Sequence, residues 1–461
     1  MRGGQYRSDD ARSIENADFV DAMSQPHDMA AAARPEHRGA DLGPVQAIDL
    51  LMMTATLLFT NGQTTERTTE YVERLAKALG FSARVFLRWD EVTVAVENGS
   101  GAASKTVEAR PVGIEMGKVA ATTKLIDDFC DHPSAPELLW SALAHVQARP
   151  PISLIRFASF AAIGAAALGV IFGAAHLTTL LIIAVSAGLG ACLRRWIAGL
   201  SHNPFAQPLA AALLAGVIGA LVVDLQFSTL QRLVAVCPCM VLVPGPHVLN
   251  GTIDLARGRL ALGICRVVYA SLIIFAICIG LLVGLSFGGI DLPATAPSPP
   301  VPLIYDVIAA GAAVAAYGTF FSMPWRMLPV PILIGMLAHG VRWALLAKAG
   351  ASLADGAFIA CLIVGVIITP VAERLRLPYA GLAFASVVSL IPGVFLFRMA
   401  DGLVELVAGS DSVSSSLLRE TLSDGANAFL ITLAITLGLI LPKMLIGDRL
   451  NRQFSGNRGS A

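Results

Sequence analysis

Charge is scarce in this sequence. Asp, Glu, Lys and Arg make up 14% of its 461 residues, against about 25% in soluble domains. With 55% hydrophobic residues and a mean hydropathy of +0.68, the shortfall argues against a water-soluble fold and makes membrane spans the expectation. Net charge is lacking too. The 33 basic residues meet 33 acidic ones, so nothing points to nucleic acid as a partner. Cysteine is sparse and odd in number, seven in all. Without a secretory framework, free thiols are expected rather than disulfides. The first 40 residues are polar and mixed in charge, with no apolar core of the kind a signal peptide carries. Residues 1–41 read as a disordered tail. No Gly-x-x-x-x-Gly-Lys-Ser/Thr segment occurs, which argues against ATP-driven pumping by this chain alone.

What the sequence does have is glycine and proline, 42 and 25 residues, inside apolar stretches. Close packing and local breaks of membrane helices use both. The most informative stretch is Val243-Pro244-Gly245-Pro246-His247-Val248-Leu249-Asn250. Pro244 removes a backbone donor and Gly245 frees the backbone. In lipid, such a break is tolerated only where protein or a water-lined cavity satisfies the freed groups. The same punctuation returns 148 residues later at Ile391-Pro392-Gly393-Val394-Phe395. Two interrupted apolar segments at matching places in two halves point to the substrate site of a secondary transporter.

Residues 42–150 read as a small α+β domain. Helices are expected over Ile48–Thr60, Gln63–Leu79, Gly117–Cys130 and Ala135–Gln147. In the second of these, Tyr71, Val72, Leu75, Ala76 and Leu79 share one face. Two strands are expected at Ala83–Leu87 and Val92–Val96, followed by a turn at Asn98–Gly101. Asp127, Asp128, Asp131 and His132 lie close enough in sequence to ligate a metal, but such a group at a helix end more often forms a solvated face. Cys237-Pro238-Cys239 supplies only two thiols, too few for a metal site, and reads as small residues packing between helices. No cofactor and no metal is implied, and no catalytic constellation is visible.

From Ile152 onward, apolar segments of about 20 residues alternate with short loops. Spans are predicted at Ser153–Ala174, Leu177–Leu193, Ala206–Val223, Leu233–Leu249 and Leu260–Phe287. After a Pro-rich extracytoplasmic linker over 291–302, five more follow at Leu303–Phe321, Pro329–Ala347, Ser352–Val371, Tyr379–Met399 and Gly425–Ile446. The segment Gly190–Trp196 of the second span resembles His339–Trp343 of the seventh. An odd number of spans per half gives the halves opposite orientations. The fold class is therefore an α-helical polytopic membrane protein. It has ten transmembrane helices as two inverted five-helix repeats, over 151–290 and 303–447. A small cytosolic α+β domain precedes them and a cytosolic tail, 448–461, follows. Loop Lys and Arg residues, Arg194 and Arg195 among them, favour both termini inside.

Ionisable groups inside spans are costly and mark function by default. Candidates for substrate binding are Pro244, Gly245, His247, Asn250, Pro392, Gly393 and Arg398. A substrate carboxylate needs an Arg or a helix N-terminus, and an ammonium needs carbonyls or a carboxylate. Candidates for proton coupling are His247, His339, Asp401 and Asp224, since a coupling group must titrate between two states. Asp254, Arg257 and Arg259 fit a cytosolic loop equally well, and Arg398 and Asp401 are spaced to pair with each other.

At these residues the chain resembles the threonine/serine exporter (ThrE) family, whose members join a cytosolic N-terminal domain to ten spans. In bacteria that split the protein, two smaller subunits correspond to the two parts. Asn61–Gly80 is similar to the family's Ser-Gly-Ala-Glu-x-x-Arg-x-Glu segment, with Gly62 and Arg67 on its glycine and arginine. Thr64 and Thr69 stand where the family often has acids, and Trp89-Asp90-Glu91 replaces its usual Pro-Thr-Gly. The two Pro-Gly motifs match as well. The resemblance covers about Gln46 to Lys443 and implies export of small hydrophilic amino acids, driven by the proton gradient, across the inner membrane. A dicarboxylate exporter of the same architecture is the alternative. Arg342 and Arg398 facing the cavity would favour dicarboxylates, and a carboxylate there would favour amino acids. A membrane-anchored enzyme is a third reading. The expected partners are a small-molecule substrate, protons and the lipid bilayer; a homo-oligomer is left open.

Overall fold

Alternation at Val92, Val94 and Val96 turns one face of a strand inward, and all three are buried. In the computed structural model, which describes residues 43–99, 101–224, 231–288, 301–374, 377–408 and 415–447, this strand is the centre of an antiparallel sheet. Its order is β1 (Ser82–Leu87), β2 (Glu91–Asn98), β3 (Gly101–Glu108). Leu87 pairs with Val92, and Val94 pairs with Lys105. Strand β3 follows the expected turn and is an addition to the two expected strands. That strand, GAASKTVE, is mostly exposed and has no inward apolar row to announce it. Helices α1 (Pro44–Thr60) and α2 (Thr65–Ala78) precede the sheet, and α3 (Met116–Asp131) and α4 (Pro136–Ala148) follow it. On α2, Tyr71, Val72, Leu75 and Ala76 are buried as one face. Asp127, expected on a solvated face, instead turns inward and pairs with Arg74. Asp131 lies 3.3 Å from the same guanidinium. Among the described residues, no group of three or more His, Cys, Asp or Glu side chains is arranged to hold a metal.

The apolar part begins with α5 (Leu154–Ile171), α6 (Leu177–Leu200) and α7 (Ala206–Asp224). Then come α8 (Gln231–Met240), α9 (Gly245–Ala256) and α10 (Leu260–Ser286). The same succession returns as α11 (Leu303–Phe320), α12 (Pro329–Ala349), α13 (Leu353–Arg374), α14 (Tyr379–Val387), α15 (Gly393–Ala408) and α16 (Ser415–Pro442). Among the described residues, seven helices are long and apolar enough to cross a membrane, and up to nine spans result if each bent pair counts as one. The bent pairs are α8 with α9, at 51°, and α14 with α15, at 66°. The chain is a multi-pass membrane protein. Helix α6 runs seven residues beyond its predicted end, to Leu200. Arg194 and Arg195 therefore lie on a helix rather than in a loop. The tail over 1–41, the linker over 291–300, the tail over 448–461 and the side chain of Asp224 lie outside the described residues.

Small residues let the helices approach. A Cβ on Gly164 of α5 would stand 2.7 Å from Ala316 Cβ on α11. One on Gly284 of α10 would stand 2.8 Å from the Gly216 Cα on α7. One on Gly365 of α13 would lie 2.9 Å from the Gly438 carbonyl on α16. Apolar tails solvate a leucine as well as another helix does, so close backbone contact supplies the packing energy instead.

The described residues from Pro44 onward form one compact unit, and the N-terminal elements are tied into the helices by polar contacts. Gly62, at φ +95°, turns the chain between α1 and α2 under the Ile114 side chain. Only glycine takes this conformation without strain. The Gly62 carbonyl accepts from Asn250 Nδ2 at 3.2 Å. The Met116 N–H donates to the Phe321 carbonyl at 2.9 Å.

Candidate functional site

Each Pro-Gly motif forms the same turn. The Gly245 N–H donates to the Val243 carbonyl at 3.0 Å, and the Gly393 N–H donates to the Ile391 carbonyl at 2.9 Å. Pro244 sits at φ −85°, ψ 54°, close to an inverse γ-turn. The turn ends one helix and starts the next, as the prolines predict. The carbonyl of Met240, at the end of α8, accepts from the Val243 N–H at 3.3 Å and from the Tyr317 hydroxyl at 2.6 Å. The two breaks pack reciprocally. Gly245 lies against the Phe384 ring of α14, and a side chain there would overlap it. Gly393 lies against Met240 of α8, with 2.8 Å between a would-be Cβ and Cγ. A small apolar cavity of about 60 Å³ lies between them, with Gly245, Pro392 and Thr436 in its wall.

A larger cavity, about 380 Å³, opens beside the first break. Pro244, Pro246 and His247 form one wall, Arg194 and Arg195 another, and Glu115 closes it from the loop between β3 and α3. Arg194 lies over the Phe320 ring, 4.8 Å from its centroid, and Arg195 lies over Phe157 at 5.0 Å. Arg195 Nη2 also donates to the Ile152 carbonyl at 2.8 Å. The cavity thus joins two guanidinium groups and a carboxylate on largely apolar walls, the composition that a small zwitterion requires. Glu115 has no motif around it, and the two arginines carry the usual signature of a span end. Only the length of α6 and the fold-back of the 112–115 loop bring them together.

His247 is buried, hydrogen-bonds the Val112 backbone and packs edge-on against Tyr269, ring centroids 5.2 Å apart. Trp89, in the connection between β1 and β2, packs against Tyr269 as well, with tilted rings whose centroids are 5.0 Å apart. Asp254 does not lie in a solvated loop. It and Arg266 are each 1% exposed and pair at 2.8 Å. Thr65 Oγ1 donates to Asp254 at 3.0 Å, and Arg259 lies 3.5 Å away. Arg257 pairs with Glu66 of α2 at 3.1 Å. Arg67 of α2 pairs with Glu373 of α13, which also holds Lys443.

The remaining candidates lie elsewhere. Arg398 reaches across to Asp424 of α16 at 2.9 Å, and Asp401 sits one turn further along α15. Neither Arg398 nor Arg342 lines the larger cavity. His339 is fully buried in α12, with Nδ1 3.0 Å from Asp306 Oδ2. Trp343 Nε1 donates to the Val301 carbonyl at 2.9 Å. Trp343 stands 148 residues after Arg195, and its acceptor Val301 stands 149 after Ile152, the acceptor of Arg195.

Comparison with known proteins agrees with this geometry. A family model for threonine/serine exporters, ThrE, matches residues 49–288. A second, described as Threonine/Serine exporter, ThrE, matches residues 306–445. The division falls between the two successions of helices, and the N-terminal sheet and helices go with the first. No solved structure matches the chain. With the first match alone spanning more than half the sequence and the second covering most of what remains, the chain belongs to the threonine/serine exporter family.

Proposed function

We propose that this protein is a secondary exporter that carries threonine, serine or a similar small amino acid out of the cytosol across the inner membrane, driven by the proton gradient. The observation that carries the reading is the cavity beside the first break, where Arg194 and Arg195 stand with Glu115. The guanidinium groups and the N-terminus of α9 suit the amino acid's carboxylate; Glu115 suits its ammonium. Pro244, Gly245, His247 and Asn250 shape the first break, and Pro392, Gly393 and Arg398 belong to the second. His247, His339, Asp401 and Asp224 are the groups proposed to take part in proton coupling.

The ten apolar segments form two inverted five-segment repeats in this reading. Several correspondences support it. Arg342 follows Arg194 by the same 148 residues that separate Pro392 from Pro244. The turns at the breaks repeat, and Arg195 and Trp343 each donate to a backbone carbonyl just ahead of the first helix of their half. The N-terminal α+β layer and both termini lie in the cytosol, and that layer gates the inner mouth through its 112–115 loop.

A dicarboxylate exporter is the second reading. A carboxylate in the cavity wall, with Arg342 and Arg398 elsewhere, favours the amino acid. Efflux from proteoliposomes preloaded with labelled threonine, serine or succinate, with and without a pH gradient, tests both. Gradient-dependent loss of threonine or serine is the expected result. Loss of succinate alone would move the assignment to dicarboxylates.

A further inference from the structure

Resting on the exporter reading, we propose that Asp306 and His339 together form the proton-binding site of this protein, with His339 Nε2 as the atom that takes up the proton. His339 is the eleventh of the 21 residues of α12 and is 0% exposed. It therefore sits halfway along a span, where a polar side chain is costly. Its Nδ1 is 3.0 Å from Asp306 Oδ2 on α11. Its Nε2 is buried and has no hydrogen-bond partner among the described residues. A histidine that merely packs satisfies both nitrogens. Here the carboxylate holds the imidazole with Nδ1 as donor, which leaves the Nε2 lone pair directed into the protein and available.

The neighbouring groups set the charge balance. Arg342, one turn further along α12, lies within electrostatic reach of Asp306. Cys361 of α13 faces Arg342, and Tyr379 of α14 lies near Cys361 with its hydroxyl donating to the Leu439 carbonyl. With Asp306 ionised, Arg342 charged and His339 neutral, the cluster has no net charge. A hydronium ion gives its proton to Nε2 and becomes water, leaving an imidazolium whose Nδ1–H still donates to Asp306. Release is the reverse: the N–H bond at Nε2 breaks and a water molecule takes the proton as hydronium.

The repeat supplies an independent argument. At the positions 148 residues earlier stand Ala158, Ala191 and Arg194, against Asp306, His339 and Arg342. The guanidinium is common to both halves, whereas the carboxylate and imidazole occur together in the second alone. A pair needed only to pack the first two helices of a half would be needed twice.

The test uses the full chain in proteoliposomes, as wild type and as D306N and H339Q. Two fluxes are read: net threonine efflux driven by a pH gradient, with internal pH followed by a dye, and threonine–threonine exchange at equal pH. The wild type performs both. Each variant is expected to lose gradient-driven efflux and its proton uptake by at least about a hundredfold while keeping exchange within about twofold. D306E, which restores a carboxylate, recovers part of the driven flux. Gradient-driven efflux with proton uptake in H339Q would overturn the assignment. So would equal loss of both fluxes in D306N and H339Q with unchanged thermal stability. A wild-type chain that exchanges neither threonine nor serine would overturn the exporter reading itself, and this proposal with it.

Discussion

At the scale of single residues, the cavity charges and the buried pairs behave differently. Arg194→Ala removes a proposed contact to the substrate carboxylate. It should weaken threonine affinity about tenfold, or about 1.4 kcal/mol, with an unchanged melting temperature. Glu115→Gln should do the same to threonine and leave succinate binding untouched, if the carboxylate meets the ammonium. Efflux measured against substrate concentration reads both. Asp254 is a structural case. It pairs with Arg266 where water does not reach, so Asp254→Asn strands a buried cation at a cost of about 3–5 kcal/mol. Thermal unfolding in detergent should show a large loss for D254N and recovery in D254N/R266M, which removes the unpaired charge.

At the scale of elements, the two bends are what proline and glycine build. Gly245 is pressed on Phe384, so Gly245→Ala should cost about 1–3 kcal/mol through overpacking alone. Proline is the cleaner test of the bend. Pro244→Ala leaves packing intact and restores a backbone donor, so α8 and α9 can join. Transport should stop while expression and melting temperature hold; normal efflux would remove the first break from the mechanism. These breaks were legible in the sequence because Pro-Gly has few other uses inside an apolar run. So were the apolar face of α2 and the order of the helices. The cavity's charges were not. Arg194-Arg195 looks like an ordinary loop after a span, and only the helix running on to Leu200 carries those side chains inward. Glu115 and Asp306 find their settings through contacts distant in sequence, which no local pattern encodes. Strand β3 escaped notice because its residues are small, polar and largely exposed.

At the scale of the whole molecule, one short helix touches both successions of spans. Through Thr65, Glu66 and Arg67, α2 meets Asp254 and Arg257 on one side and Glu373 on the other. Deleting residues 1–150 takes away this bridge and also Glu115. The remaining helices should still insert, but threonine affinity should fall by about tenfold; unchanged kinetics would exclude a gating role for the N-terminal layer. The division of the family matches between residues 288 and 306 suggests a further test. Two separately expressed chains, 1–290 and 301–461, should co-purify, because α5 packs on α11 and each break packs on its partner.

That last contact has a kinetic consequence. Phe384 precedes the second break yet fills the space beside the first, and Met240 precedes the first yet fills the space beside the second. Close-packed groups of this kind shift between discrete arrangements and do not deform gradually. If the bends serve as the proposed exporter's hinges, neither can swing until the other has vacated its seat. Fluorescent reporters placed one at each hinge should therefore relax with a single shared rate constant after a substrate jump, as two ends of one lever do.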